Sequence, residues 1–529
     1  MTMRDWGMPA AFAILGAALV GWNLALGARV SALPNAGRAF RVLTGLCAFL
    51  FVPAFVIGLL TPTAPGARVL EQLAWLWPVV VVAVAAQALW ALLGGRASVA
   101  VAFPIALFDL VVAWVAVARW LEGHGTLLPA WALAPGMAVS STGVTVLGEG
   151  VFLWSAAVLV PLLVPAAPAR TRLSGAWRAF VATGCVVALV LVGSEVPGAY
   201  GALTAVDALG AGAMPERART DFAVGMRLFG TLSAAPPASV ARHDITLADS
   251  LGVTALHLEL RPEGATTIAL DSMARSIAAR RDSLVLVVTL DMQDGGEQPL
   301  RGDDAWMRER IALIERVVTR LRPNVLLPAE GVVPFSGAGT ARWWQSYYER
   351  VARSTRRIDR NIFIALATDA GSLADSALCD WVMQDGSPVD AIALSVRAHS
   401  DTPARFEGAL SSLARWVSMA RAVPAVWLIG VPASPAVAGE VAQQRLVRHA
   451  LLWGASRVWV RGVIAGDASD ALAGTGFRTP GGRSRRALTE VGAALRSLRD
   501  SPMVVPVTID TAVVDSLRPT PGSLPPSQP

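Results

Sequence analysis

Eight charged side chains stand at or just after the ends of short apolar runs in the second half of this chain: Arg227, Glu259, Asp291, Glu330, Asp369, Arg397, His399 and Arg461. Carboxyls and an imidazole in such places can move protons, and guanidiniums can hold anions or hydroxyls. Any one of them alone could simply anchor a loop through an ion pair. Together they exceed what a closed rim needs, and they point to a site for a polar ligand. Other motifs carry less. Gly337-Ala338-Gly339 lacks the spacing of a dinucleotide fingerprint. Gly481-Gly482-Arg483 reads as a helix-start loop, although such a loop could cradle a phosphate. His243-Asp244 and His257 lack metal-ligand spacing, and His257, inside a strand, reads as a core or helix-facing histidine. No metal site and no cofactor are implied by these residues.

The elements that must position the eight groups are legible as alternation. Apolar runs at 222–229, 254–260, 284–290, 325–330, 362–368, 391–396, 425–431 and 457–463 read as strands buried on both faces. Amphipathic stretches such as 306–321 and 340–359 fall between them, and a last helix is expected near 485–499. Alternation at this spacing predicts a parallel sheet, and its length over 222–500 matches an α/β (β/α)8 TIM barrel. In that fold chemistry gathers where strands end, at the C-terminal face.

The first 205 residues have another character. Segments near 9–28, 40–60, 73–93, 99–120, 146–168 and 177–199 are long and apolar enough to span a bilayer, predicting an all-α six-helix transmembrane bundle. Residues 127–145, with two prolines and a polar Ser-Ser-Thr, read as interfacial or re-entrant. Arg29, Arg38, Arg41, Arg96, Arg170, Arg172 and Arg178 fall in alternate loops, whereas Arg68 and Arg119 are offset by Glu71 and Glu122. Arginine-rich loops stay cytoplasmic, which predicts an extracytoplasmic barrel. Asp109 lies mid-span, where an ionisable group is costly. It is either functional or buried in a pair or hydrogen bond with a neighbouring helix, for which Gln87 is a candidate. Residues 206–221 read as a linker, and the Pro-rich 501–529 as a disordered tail.

Composition agrees with a protein that is part lipid-embedded, part soluble. Of its 529 residues 54% are hydrophobic, the excess lying in the first part. The net charge is +6 and every basic residue is arginine. Arg353, Arg356, Arg357 and Arg360 come closest to a basic block, but they fit one solvated helix face, so nucleic acid is not an expected partner. Cys47 and Cys185 fall in apolar spans and Cys379 in the barrel, with no CxxC pair for zinc or redox work.

The barrel region, about 220–500, resembles the glycoside hydrolases of the large (β/α)8 superfamily that includes cellulases and β-mannanases. The resemblance rests on LADSLGVTALHLEL entering the second strand and on RPNVLLPAEG ending the fourth. It continues in RWWQSYYERVARSTRRID after that strand and in VDAIALSV as the sixth. VPAVWLIGVPAS matches the seventh, and Gln443-Gln444 with WVRG the approach to the eighth. It implies that Glu330 is the general acid/base. Two positions depart from the pattern. Ala329 precedes Glu330 where asparagine is usual, and alignment on Trp427 puts Gly430 where the nucleophilic glutamate should stand. A retaining mechanism needs that second carboxyl about 5 Å from the first. An inverting one accepts a carboxylate roughly 6.5–9.5 Å away, which Asp291 or Asp369 could supply. Crowded carboxylates raise one another's pKa, keeping one protonated as the acid.

Hydropathy and arginine placement, joined to this resemblance, lead to the expectation of a membrane-anchored, extracytoplasmic protein that hydrolyses or binds an envelope or exported polysaccharide. Arg227, Glu259, Arg397, His399 and Arg461 would contact the sugar, and Trp306, Trp343 or Phe335 would stack on it. The expected partners are a polysaccharide or oligosaccharide, the lipid bilayer and a membrane assembly. The alternatives are a catalytically silent glycan-binding barrel and a transporter or channel component built around Asp109.

Overall fold

The computed structural model describes residues 20–25, 37–60, 73, 75–123, 126, 128–147, 160–164, 172–232, 234–291, 304–330, 338–368, 373–395, 403–420, 424–430, 435–469, 476–479 and 482–500. The tail expected over 501–529 lies outside them, as do most residues of the first expected span.

The N-terminal region is helical. Residues 20–25 are helical, followed by α1 (Arg38–Leu60), α2 (Leu76–Leu93), α3 (Val99–Gly123), α4 (Ala130–Leu147) and α5 (Arg172–Gly210). α1, α2, α3 and α5 are each long and apolar enough to cross a membrane. Their outward faces keep large apolar side chains exposed, among them Phe49, Leu93, Phe103, Phe180 and Val190. α5 has 39 residues, so at 1.5 Å per residue it is about 58 Å long. That exceeds a hydrocarbon core of about 30 Å, and its far end reaches the barrel.

The stretch read as interfacial or re-entrant, 127–145, is largely the helix α4, apolar over Ala130–Val139. Its polar residues do not break it, because Thr142 Oγ1 returns a hydrogen bond to Ala138 O at 2.8 Å. The span expected over 146–168 is not one continuous helix, because residues 160–164 (VPLLV) are irregular and buried inside the bundle. Side chains of Asn23, Gln87 and Asp109 hold that backbone.

The second region is a closed barrel of eight parallel strands. They are β1 (Ala223–Leu232), β2 (Ala255–Leu260), β3 (Val285–Asp291), β4 (Val325–Glu330), β5 (Phe363–Thr368), β6 (Ala391–Ser395), β7 (Ala425–Ile429) and β8 (Val460–Asp467). The helices around it are α6 (Ala238–Leu251), α7 (Thr267–Ile277), α8 (Asp304–Leu321), α9 (Ala338–Ile358), α10 (Leu373–Val382), α11 (Pro403–Met419), α12 (Pro435–Ala455) and α13 (Ala487–Ser497). Alternate strand residues separate two cores. Ala255, Val287, Leu327, Ala365, Ala391, Trp427 and Ile464 fill the lumen. Leu256, Val288, Leu326, Ile364 and Val463 face the helices. Burial on both faces explains why the strands read as continuous apolar runs. Trp427 fits the lumen because alanines on β5 and β6 and Gly462 on β8 leave it room.

The segment read as a linker is tied down. α5 runs to Gly210, and Arg217–Ala218 pair in parallel with Leu498–Arg499. Arg217 Nη1 donates to Arg457 O at 2.9 Å and Ala455 O at 3.2 Å. The barrel also meets the bundle through α11 and α12. Arg445 of α12 donates to Leu128 O at 3.0 Å and lies 3.7 Å from Glu122 and 3.9 Å from Asp207. Arg448 donates to Gly212 O at 2.9 Å.

Candidate functional site: the barrel mouth

The described mouth is built on β1, β2, β3 and β8. Arg227, on the lumen side of β1, reaches both neighbouring strands. Its Nη1 bonds Glu259 Oε2 of β2, its Nε bonds Asp467 Oδ1 of β8, and its Nη2 donates to Asp467 Oδ2 at 2.9 Å. Strand register explains the meeting, since Arg227 is the Cα partner of His257 on one side and of Asp467 on the other. The β1–β8 register slips by one residue between Gly225 and Arg227, which brings Asp467 level with the arginine. The carboxylates are nearly sealed, with side chains 12% and 6% exposed, whereas Arg227 keeps 21%. One guanidinium therefore serves two carboxylates in planar, charge-assisted contact.

Beneath this network His257 Nε2 lies 2.8 Å from Thr289 Oγ1 on β3. Burial is the main cause that pushes its imidazole down to about 4, against a smaller opposing pull from Glu259, so it is neutral near pH 7. The expectation of a core histidine holds in position, although it faces the lumen and not a helix.

Asp291, at the end of β3, lies 3.6 Å from the Arg261 guanidinium, and its carbonyl accepts from the buried Arg310 Nη2 at 2.7 Å. Asp291 is the Cα partner of Glu330 on β4. The pairing there skips a residue, and Ala329 packs in the outer core. Behind it, the buried Tyr347 hydroxyl donates to Pro328 O at 3.0 Å, and burial pushes the phenol up to about 12.

The structure thus brings together Arg227, Glu259 and Asp467, with Asp291 beside Arg261 on the next strand and Glu330 in register with Asp291. Asp369, Arg397 and His399 lie outside the described residues, as does Phe335. Arg461 does not join the group. β8 continues past the expected end at 463 to Asp467, so Arg461 is its second residue and stands exposed at the opposite end of the barrel. Asp467 takes the rim position. The run VRGVIAGD carries that signal itself, being apolar until its final carboxylate. Trp306 is partly buried between α8 and α9, 5.7 Å from the rings of Trp343 and Tyr347 and 5.9 Å beneath the Arg310 guanidinium. Its ring is engaged in helix packing, as is that of Trp343. Gly430 follows β7 with φ 78°, a conformation that favours glycine, while its N–H donates to Ile464 O at 2.9 Å. A glutamate at this position would be strained by the backbone alone. Among the described residues, no group of three or more His, Cys, Asp or Glu could hold a metal ion.

No protein-family model matches the chain. No curated protein matches it in sequence. Solved structures do. A GH5_18 protein from Bifidobacterium longum subsp. longum, in complex with Manb1-4GlcNAc, is similar at 11% identity over 54% of this chain and 80% of its own, with a TM-score of 0.41. The catalytic domain of a mannanase from Streptomyces sp. SirexAA-E matches at 11% identity, 55% and 94% coverage, and a TM-score of 0.37. An endocellulase from Pyrococcus horikoshii, in complex with cellotetraose, matches at 12% identity, 54% and 93% coverage, and a TM-score of 0.39. The likeness concerns the fold alone, and the closed order of eight parallel strands establishes the (β/α)8 barrel independently of it.

Proposed function

We propose that this chain is a membrane-anchored protein whose barrel binds a polysaccharide or oligosaccharide outside the cytoplasm without cleaving it. The observation that carries this reading is the double engagement of Arg227. Glu259 and Asp467 both spend their charge on one guanidinium. An opposite charge at that range favours the ionised carboxylate, which cannot donate a proton. A fixed guanidinium flanked by carboxylates still offers donors and acceptors to sugar hydroxyls. Gly430 supports the same reading, since β7 presents no nucleophile.

One observation favours the rival, a hydrolase. Glu330 and Asp291 are register partners on adjacent strands, and an inverting pair needs two carboxyls roughly 6.5–9.5 Å apart. In that reading Glu330 is the acid, and Asp291 or Asp369 the second carboxylate. Arg397 and His399 remain proposed sugar contacts in both.

The full-length protein, in detergent or nanodiscs, separates the two. Mannan, cellulose and envelope oligosaccharides are offered, and both binding and new reducing ends are measured. Binding without new reducing ends is expected. Reducing ends that fall at least about 10²-fold in Glu330→Gln, the scale of lost general acid catalysis, would make it a hydrolase. A fluoroglycoside label should attach nowhere on β7.

Arginine placement favours one side of the membrane for the barrel. α5 and α3 both end against the barrel-side contacts of Arg445 and Arg448. Arg172 and Arg178 at the start of α5, and Arg96 before α3, therefore lie away from the barrel, as do Arg38 and Arg41 beside Arg96. Arginine-rich ends are retained in the cytoplasm, which supports a barrel on the other side.

A further inference from the structure

Residues 160–164 pass through the bundle interior without being helical. Backbone at membrane depth must find its partners inside the protein, because hydrocarbon offers none. Here the partners are side chains. Asn23 Nδ2 donates to Pro161 O at 2.8 Å, and Asn23 Oδ1 accepts from Leu163 N at 2.9 Å. Gln87 serves Val164 in the same two-ended way, both bonds at 3.1 Å. Trp22 Nε1 donates to Leu163 O at 3.1 Å. Leu162 N donates to Asp109 Oδ1 at 2.8 Å.

Asp109 differs from the two amides. It is fully buried, and its second oxygen, Oδ2, has no hydrogen-bond partner among the described residues. An asparagine would accept from Leu162 equally well, so the clamp alone does not account for an acid. Nor does a counter-charge face it among the described residues. α2 presents Gln87, α4 carries no charged residue, and α5 presents Cys185. α1 carries only Arg38 and Arg41, at its start. On α3 itself, Arg119 and Glu122 lie ten or more residues away, about 15 Å along the axis. Ionisable side chains at membrane depth that lack a counter-charge mark proton and ion sites.

We propose that Asp109 Oδ2 is an exchangeable proton site, so that the bundle binds and releases one proton beside the non-helical segment. The carboxylate takes a proton to become the acid and gives it back, with no bond to carbon changed. Meanwhile Asn23 and Gln87 keep residues 160–164 in place. No barrel residue enters this inference, so it stands or falls separately from the glycan reading.

The test uses the full chain in liposomes. Infrared difference spectra should show a protonated-carboxyl C=O band that shifts in D2O, vanishes reversibly as pH is raised, and is missing in Asp109→Asn. Labelling of Asp109 by a hydrophobic carbodiimide, mapped by mass spectrometry, should fall about tenfold per pH unit above the same midpoint. If Asp109→Asn does not fold, Asp109→Glu keeps the acid and should move the band. Three results overturn the proposal: no such band at any pH, a band unchanged by pH, or loss of band and label on adding sodium or potassium at fixed pH. The last would make this an alkali-cation site.

Discussion

Arg227 is the residue on which the mouth depends. It is the charge that Glu259 and Asp467 share, and both carboxylates are nearly sealed. Removing one partner of such a network leaves uncompensated charge behind, a loss of about 3–5 kcal/mol. Arg227→Met should therefore lower the midpoint of urea unfolding of the full-length protein and weaken oligosaccharide binding. Arg227→Lys should recover only part of either, since an ammonium cannot bridge two strands with a planar fork. An unchanged midpoint would mean that the pairs contribute nothing to the fold. His257 adds a pH dependence. Its ordinary value of 6.5 drops to about 4 on burial. Between those values the unfolded chain binds the extra proton. The stability is therefore complete above about pH 6.5 and lost as pH falls toward 4, by roughly 3 kcal/mol in all. His257→Gln, which can still bond Thr289, should flatten that part of the stability profile. The same slope in the variant would assign the loss to other groups.

Among the elements, the lumen of the barrel sets the tightest limits. A Cβ on Gly462 would stand 2.3 Å from the Trp427 ring. The ring cannot retreat, because it is 5% exposed and packed among the lumen residues of the other strands. Overpacking of this kind costs about 1–3 kcal/mol. Gly462→Ala should lower the thermal midpoint of the barrel, and adding Trp427→Leu should restore part of the loss. A double variant that adds the two losses would show that the clash is not with Trp427. The pair ties β7 to β8 within the lumen.

At the scale of the whole molecule, barrel and bundle are joined at more than one place. α5 leads directly into the barrel, and α12 returns to the bundle through Arg445 and Arg448. Alkaline phosphatase fused after residue 500 should be active, and a reporter that works only in the cytoplasm should be silent there. The reverse pattern would place the barrel in the cytoplasm and remove envelope glycans from its reach. Arg445→Glu would set like charges beside Glu122 and Asp207. It should speed proteolytic cleavage between 206 and 221 without unfolding the barrel. Cleavage at the native rate would show that the strand pairing of Arg217–Ala218 is sufficient alone.

The barrel was legible in the residues themselves, because each strand buries both faces and so announces itself as an apolar run between amphipathic helices. Glu259, Asp291 and Glu330 fell at strand ends for the same reason. Tertiary structure alone decided the partners. Asp467 meets Arg227 through a register slip between the first and last strands, 240 residues apart in sequence. Arg461 fell to the far end of the barrel because β8 runs on to Asp467, past two glycines that interrupt its apolar pattern. In the bundle, hydropathy reports only that a segment is apolar, not that it is helical. VPLLV reads as part of a span, but its backbone is held by Asn23, Gln87 and Asp109 from three distant places in the chain. Apolar burial is written locally in a sequence. Hydrogen-bond satisfaction between distant segments is not, so only the folded chain shows that Asp109 keeps one oxygen without a partner among the described residues.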